Sequence, residues 1–292
     1  MPSAYTALFA LVVAVPPIET RFVQVAPAQA VRPPDQVRAV ILLHGLKPHP
    51  FSKDNVARAS FHDWQLPDSL LVKQLAREAD VFSFAYAQTA SVDDVAESPD
   101  LASAVRRLRE RGYREIALVG HSAGGLIARQ FVEDNPHAGV TKVIQVCAPN
   151  GGSLWASIKA VRSNQVEFLT SLTRTTRQKV LRDRSDKVIP PNVQFACVVA
   201  NAVVIGDGLV QTRAQWTEDL QRQGIPAFAL NTTHWFALRG RKGAELVAEL
   251  IREPLPRWDE RKVAEVRRRI FGSDEKGSKK DEPTNPSPRS QP

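Results

Sequence analysis

The sequence predicts an α/β protein whose mostly parallel central sheet carries helices on both faces. Three observations predict it. Short apolar runs with the length and composition of buried strands recur at Val37–Leu43, Val81–Tyr86, Ile116–Val119, Thr141–Cys147, Val193–Val199 and Ile225–Leu230. Segments of helical periodicity separate them, and alternating strands and helices build parallel sheets with crossover helices. One strand runs straight into Gly120-His-Ser-Ala-Gly124 and then into a helix, which is the context that G-x-S-x-G requires.

A chain of 292 residues accommodates one large α/β domain or at most two small ones. The cysteines, Cys147 and Cys197, sit in apolar strand-like runs and read as buried reduced thiols rather than a disulfide or a metal site. No His/Cys cluster has metal-ligand spacing, so neither a metal nor a cofactor is expected. The net charge of +8 is local: residues 151–190 hold eight Lys/Arg against three Asp/Glu, and residues 251–270 hold seven against four. The rest of the chain is therefore close to neutral. No nucleic-acid motif accompanies the basic segments, and nucleic acid is not an expected partner. A face turned towards anionic lipid or an acidic substrate, or a plain solvated surface, remains.

Residues 1–30 have two readings. Ala7 to Val15 is continuously apolar, the length of a signal-peptide core and too short to span a bilayer, and Ala28-Gln-Ala30 resembles a cleavage site. Against this, no Lys or Arg precedes Arg21. The alternative makes Ala7–Val15 and Arg21–Val25 leading strands. The first run does not alternate as an edge strand should, which favours the export signal and an extracytoplasmic location over a cytoplasmic one.

The strand from Val37 runs into His44-Gly45-Leu46. Asp63 to Ala79 reads as a helix with Leu66, Leu70, Leu71 and Leu75 on one face. After the strand at Val81–Tyr86, Ser98-Pro99-Asp100 is a helix start, with serine as cap and proline at the first position. That helix passes through Leu101, Val105 and Leu108 and stops at Gly112. The serine turn follows, with Gly120 and Gly124 small because backbone crowds a strained strand-to-helix corner. Leu126, Ile127 and Phe131 continue it as a helix, whose first amides and positive dipole end face an oxygen held beside Ser122.

The strand Thr141–Cys147 ends in Ala148-Pro-Asn-Gly-Gly-Ser153. Residues 154–190 are basic, with Leu154, Trp155, Ile158, Val161, Phe168 and Leu172 at loosely helical spacing. The strand Val193–Val199 leads through Asn201–Ile205 to Gly206-Asp207-Gly208-Leu209-Val210. Arg213 to Gln223 reads as a helix, and the last strand is followed by Asn231-Thr-Thr-His234-Trp235. Leu246, Val247 and Leu250 mark a closing helix, Arg252 to Phe271 a charged helical extension, and residues 272–292 a polar tail expected to be disordered.

These motifs resemble the α/β-hydrolase superfamily over roughly residues 37–250, with the serine turn as its nucleophile elbow. Ala148 to Ser153 is similar to the T-P-x-x-G-S turn of its lipase-like members, including the group that deacylates glycolipid anchors, with alanine in place of threonine. The resemblance implies an α/β-hydrolase domain over 31–271 with a helical cap inserted at 154–190. It implies Ser122 as nucleophile, Asp207 as acid and His234 as base, in the superfamily's chain order. The oxyanion hole would be the backbone amides of Leu46 and Ala123, with Gly45 bending the first loop.

Those residue types suit the chemistry. A serine hydroxyl needs a base within hydrogen-bond reach, and histidine takes and returns a proton near neutral pH. A carboxylate fixes the histidine tautomer and stabilises its cation. Asp186 in Ser-Asp-Lys-Val-Ile-Pro is a rival acid, but it precedes the penultimate strand. His44 and His121 read as structural, and His49, His62 and His137 as surface or rim residues. The expected reaction is hydrolysis of a carboxylic ester, small-molecule or lipid, through an acyl-serine. Thioesterase, acyltransferase or amidase chemistry would use the same triad. A non-catalytic module binding an anionic lipid surface through its basic cap is the reading from another class.

Overall fold

The structure is a computed structural model that describes residues 18–47, 55–157, 163–202 and 206–272. Among these, seven strands form one sheet in the order β1-β3-β2-β4-β5-β6-β7. They are β1 (Thr20–Ala26), β2 (Arg38–Leu43), β3 (Ala79–Tyr86), β4 (Glu115–His121), β5 (Lys142–Val146), β6 (Gln194–Ala200) and β7 (Ala227–Leu230). Every neighbouring pair is parallel except β1 against β3.

The continuous apolar character of the central strands follows from burial on both sides. Ile41, Leu43, Phe82, Phe84, Ile116 and Leu118 pack on one face, beneath α3 (Pro99–Glu110), α4 (Ala123–Asp134) and α10 (Glu260–Phe271). Val40, Leu42, Val81, Ala117 and Val119 pack on the other, beneath α1 (Leu70–Leu75) and α9 (Arg241–Arg252). Lys142 on β5 ties the sheet to α9, its Nζ donating to the carbonyls of Leu250, Ile251 and Glu253 at 2.9, 2.9 and 2.6 Å.

Several expectations need correction. Residues 20–26 form the edge strand β1, as the strand alternative has it for Arg21–Val25. Around the candidate cleavage site, the amide of Ala28 donates to Asp80 at 2.7 Å and that of Gln29 to the carbonyl of Ala76 at 2.7 Å. The domain body therefore begins before residue 31. Ala7–Val15 lies outside the described residues.

The helix expected over 63–79 is only α1, preceded by a single turn at Asp63–Gln65. Pro67 is the reason, because the residue before proline is pushed out of the helical region, and Leu66 is extended at φ −90°, ψ 157°. Helix restarts where Ser69 accepts from the Val72 amide at 3.1 Å. Leu71, Val72 and Leu75 face the core, whereas Leu66 and Leu70 are exposed.

A helix that the periodicity missed, α2 (Val92–Glu97), carries a capping box in which Ser91 and Asp94 satisfy each other's amides. It is followed directly by α3, whose cap Ser98 is as expected. The helix expected over 213–223 is two pieces, α7 (Thr212–Gln215) and α8 (Glu218–Arg222). Trp216 breaks it, leaving helical geometry at φ −131° to bury its indole and donate to the carbonyl of Ile225 at 3.0 Å. Nor does 252–271 extend from the body. After α9 ends, α10 folds back and buries Val263, Val266 and Ile270 in the core.

Segment 154–190 holds turns at Trp155–Ser157 and Ser163–Gln165, then α5 (Val166–Ser171) and α6 (Arg174–Asp183). Phe168 and Leu172 anchor it in the core, and Leu154 and Trp155 are exposed. Ile158, Val161 and the tail from residue 273 lie outside the described residues. Ion pairs fasten α6 and the turn after it to the body: Arg184 reaches Glu133 at 3.0 Å and Asp134 at 2.9 Å, and Arg177 reaches Asp93 at 3.0 Å.

Candidate active site

Ser122 sits between β4 and α4 with φ 54° and ψ −124°, a conformation that L-residues adopt only when their surroundings impose it. The surroundings are backbone. The Ser122 amide donates to the carbonyl of Val146 at 2.8 Å, and its carbonyl accepts from Gly125 at 2.9 Å. A Cβ on Gly124 would lie 2.3 Å from the carbonyl oxygen of Leu43, and one on Gly45 would lie 2.5 Å from Cβ of Ser122. The end of β2 and the serine turn are thus in direct contact, and only glycine permits it.

The loop after β2 is locked by its neighbours. Nδ1 of His44 bonds the Gly45 carbonyl at 2.8 Å, and the Tyr86 amide donates to His44 Nε2 at 3.3 Å. Those partners fix a neutral tautomer protonated on Nδ1, and burial lowers the His44 pKa to about 4. His44 is therefore a loop strut. Gln88 donates to the same Gly45 carbonyl at 2.8 Å and accepts from the Lys47 amide at 3.0 Å, and Gln165 from the inserted segment donates to Gln88 at 2.8 Å. Because a trans peptide points its C=O and N–H in opposite directions, the Leu46 amide faces away from His44 and Gln88. Leu46 lines a cavity of about 70 Å³ together with Ser122 and His234, and the amide of Ala123 begins the helix at its edge.

Asp207 occupies a turn between Gly206 and Gly208, both at positive φ. Its Oδ1 accepts from the amides of Leu209 and Val210 at 2.9 and 2.7 Å, and its Oδ2 lies 2.7 Å from Nδ1 of His234. Burial pushes the carboxyl up, but His234 and the two amides outweigh it, and the net shift is downward. A carboxylate only accepts, so Nδ1 of His234 is the donor and Nε2 is left as the proton-accepting nitrogen. Asp186, the rival acid, is exposed in the turn after α6.

The remaining histidines divide. His121 is buried, with Nε2 2.9 Å from the carbonyl of His234 and its pKa lowered by burial to about 3. His62, expected at the surface or rim, is buried instead, with its ring 5.0 Å from His44 and its pKa lowered well below 6.5, chiefly by burial. His137 is exposed, and His49 lies outside the described residues.

Sequence reasoning also missed Gln88, Gln165 and Cys147 as parts of the site, since no short motif marks them. Cys147 is a free, buried thiol at φ 54° that hydrogen-bonds Asp207, and burial pushes its pKa well up. One donor atom each from His121, Cys147 and His234 lie within 4.8 Å of one another.

A family model described as a domain of unknown function (DUF7379) matches residues 16–212. Among solved structures, the chain is similar to the lipase BlEst2 of Bacillus licheniformis in its mature form, at 14% identity and a TM-score of 0.60, covering 79% of this chain and 98% of that one. It is similar to the phospholipase PlaB of Legionella pneumophila at 15% identity and a TM-score of 0.56, over 82% of this chain and 64% of that one. Lipase B of Aspergillus fumigatus, at 15% identity and 0.56, covers 82% of this chain and 59% of its own length. No curated protein matches the chain. The fold common to these structures is that of the α/β-hydrolases.

Proposed function

The chain belongs to the DUF7379 family and has the α/β-hydrolase fold, and we propose that it is a serine hydrolase of carboxylic esters. The observation that carries this reading is the 2.7 Å bond from His234 to Asp207 at a cavity that also contains Ser122. In the proposed cycle His234 Nε2 takes the Ser122 proton as the hydroxyl oxygen attacks the ester carbonyl. Asp207 holds the ring and stabilises the imidazolium. The amides of Leu46 and Ala123 take up the tetrahedral oxyanion, each such donor contributing about 3–4 kcal/mol in comparable sites. The imidazolium then protonates the leaving alcohol, and water releases the acyl group by the reverse sequence.

The cavity lining favours an apolar acyl group, since Leu169, Leu172, Leu209 and Trp155 form its wall. The test is hydrolysis of p-nitrophenyl esters from two to sixteen carbons by the intact chain and by Ser122→Ala. The expected result is ester turnover that the substitution abolishes. Absence of turnover on any ester, or turnover that survives the substitution, rules the reading out.

A further inference from the structure

One side chain holds the peptides on either side of Leu46. The Gln88 carboxamide donates to the Gly45 carbonyl at 2.8 Å and accepts from the Lys47 amide at 3.0 Å. It therefore fixes both peptide planes that flank Leu46, and with them the direction of the Leu46 amide. Gly45 needs such support. Its missing Cβ lets the loop approach Ser122, but it also leaves the backbone there free to turn.

Gln88 is itself held. Its backbone amide donates to the Val56 carbonyl at 2.7 Å, and its side-chain oxygen takes a second donor, Gln165 Nε2, at 2.8 Å. Each orientation dictates the next. A backbone amide only donates, so Gln88 turns its oxygen to Lys47 and its nitrogen to Gly45, and Gln165 must meet that oxygen with its own nitrogen. The same Gln165 nitrogen reaches the Lys47 carbonyl at 3.2 Å. Both carboxamides are buried, where water does not compete for these bonds.

Gln165 comes from the inserted segment, where it caps α5. That helix is fastened by Phe168 in the core and by the Val92 amide, which donates to the Ser171 hydroxyl at 3.0 Å. It also puts Leu169 into the wall of the Ser122 cavity. One short helix thus supports both the cavity wall and the loop after β2.

Resting on the hydrolase reading, we propose that Gln88 and Gln165 are positioning residues that aim the Leu46 amide at the oxyanion formed when Ser122 attacks. Neither needs to touch the reacting atoms. A donor misplaced by about 1 Å can cost about 10²-fold in rate, and the two carboxamides remove the freedom for that displacement before substrate arrives. Because the amide bonds most strongly to the developing charge, the effect falls on the transition state and not on bound substrate.

The test compares the full chain with Q88E and Q165L. Q88E keeps the volume but sets a carboxylate oxygen against the Gly45 carbonyl, and Q165L removes the outer support alone. On the best p-nitrophenyl ester each should lower kcat by about 10-fold to 100-fold with KM little changed. Affinity for a trifluoromethyl ketone, whose carbonyl carbon bonds Ser122 Oγ and leaves an oxyanion, should fall by the same factor. Affinity for the matching methyl ketone, which stays trigonal, should not. Q88E/Q165L should lose no more than Q88E, since both act through one peptide. In amide NMR spectra the Leu46 and Lys47 signals should move in both variants while the Ala123 signal stays. A merely structural role would lower stability towards urea yet leave kcat per folded molecule and ketone affinity in place, and that result, or unmoved Leu46 and Lys47 signals, overturns the proposal. If the wild type turns over no ester, moved Leu46 and Lys47 signals leave the hold on the loop standing and remove only the hydrolase reading.

Discussion

His234 is clamped to Asp207 twice. Its ring Nδ1 lies 2.7 Å from the Asp207 carboxylate, and its backbone amide donates to the Asp207 carbonyl at 2.9 Å. The second bond joins the loop after β6 to the loop after β7 independently of the side chains, so a side-chain change at Asp207 can leave ring and loop in place.

Asp207→Asn should therefore fold normally while losing the acceptor that fixes the His234 tautomer. A kcat lower by about 10³–10⁴ is expected, with KM little changed. Steady-state kinetics on the best p-nitrophenyl ester decides it, and a loss below about tenfold would remove Asp207 from its proposed role.

Acid should destabilise the protein earlier than carboxylate protonation alone explains. His44 and His121 are lowered to about 4 and about 3, and His62 well below 6.5, with burial the main cause in each. Folded values below the unfolded 6.5 mean that the unfolded chain binds more protons. The stabilisation is present above pH 6.5 and fades as pH falls towards the folded values, each histidine adding about 1.4 kcal/mol per pH unit. Urea unfolding between pH 7 and 5 should show this slope, and His62→Gln should reduce it. A flat profile in that window contradicts the assignment.

Glu133→Ala should cost about 1.5–3 kcal/mol, because it takes from buried Arg129 its 2.7 Å partner, leaving Asp219, and from Arg184 one of two carboxylates, leaving Asp134. Chemical denaturation measures the loss, and replacing Arg129 and Glu133 together by apolar residues should restore part of it.

Gly124→Ala should be among the most damaging small substitutions, since the added Cβ would meet the carbonyl oxygens of Leu43 and His44 at 2.3 and 2.5 Å. Backbone cannot yield as a side chain does. A loss of at least about 3 kcal/mol, or no soluble protein, is expected in thermal unfolding. An unchanged Tm would contradict the packing.

Removing residues 1–26 should expose the β3 edge and uncover Phe82, whose ring stacks on Phe22 at 5.4 Å. Size-exclusion chromatography should show aggregation, as an unprotected apolar edge invites pairing with other chains. A monomeric, fully stable product would mean that β1 is dispensable.

Local chemistry made much of this legible in the sequence. Strands buried on both faces must be apolar throughout, so all six expected runs match their strands to within about two residues at either end. The glycines around Ser122 and Asp207 mark corners that other residues cannot turn, so the serine turn and the Asp207 turn are legible from residue types alone. Pro67 and the Ser91–Asp94 capping box were equally readable signals, and giving them weight would have split the long helix and found α2.

What the tertiary structure decided depends on contacts between distant segments. Residues 20–26 read as edge strand or export signal until β3 supplies a partner for them. Trp216 sits in a helix-like stretch and leaves it because the core offers its indole a site. His62 looks like a loop histidine until His44 stacks on it. Gln88 and Gln165 hold the Leu46 peptide from 42 and 119 positions away. Spacing along a chain encodes which backbone shapes are permitted, and only the folded packing determines which side chains meet.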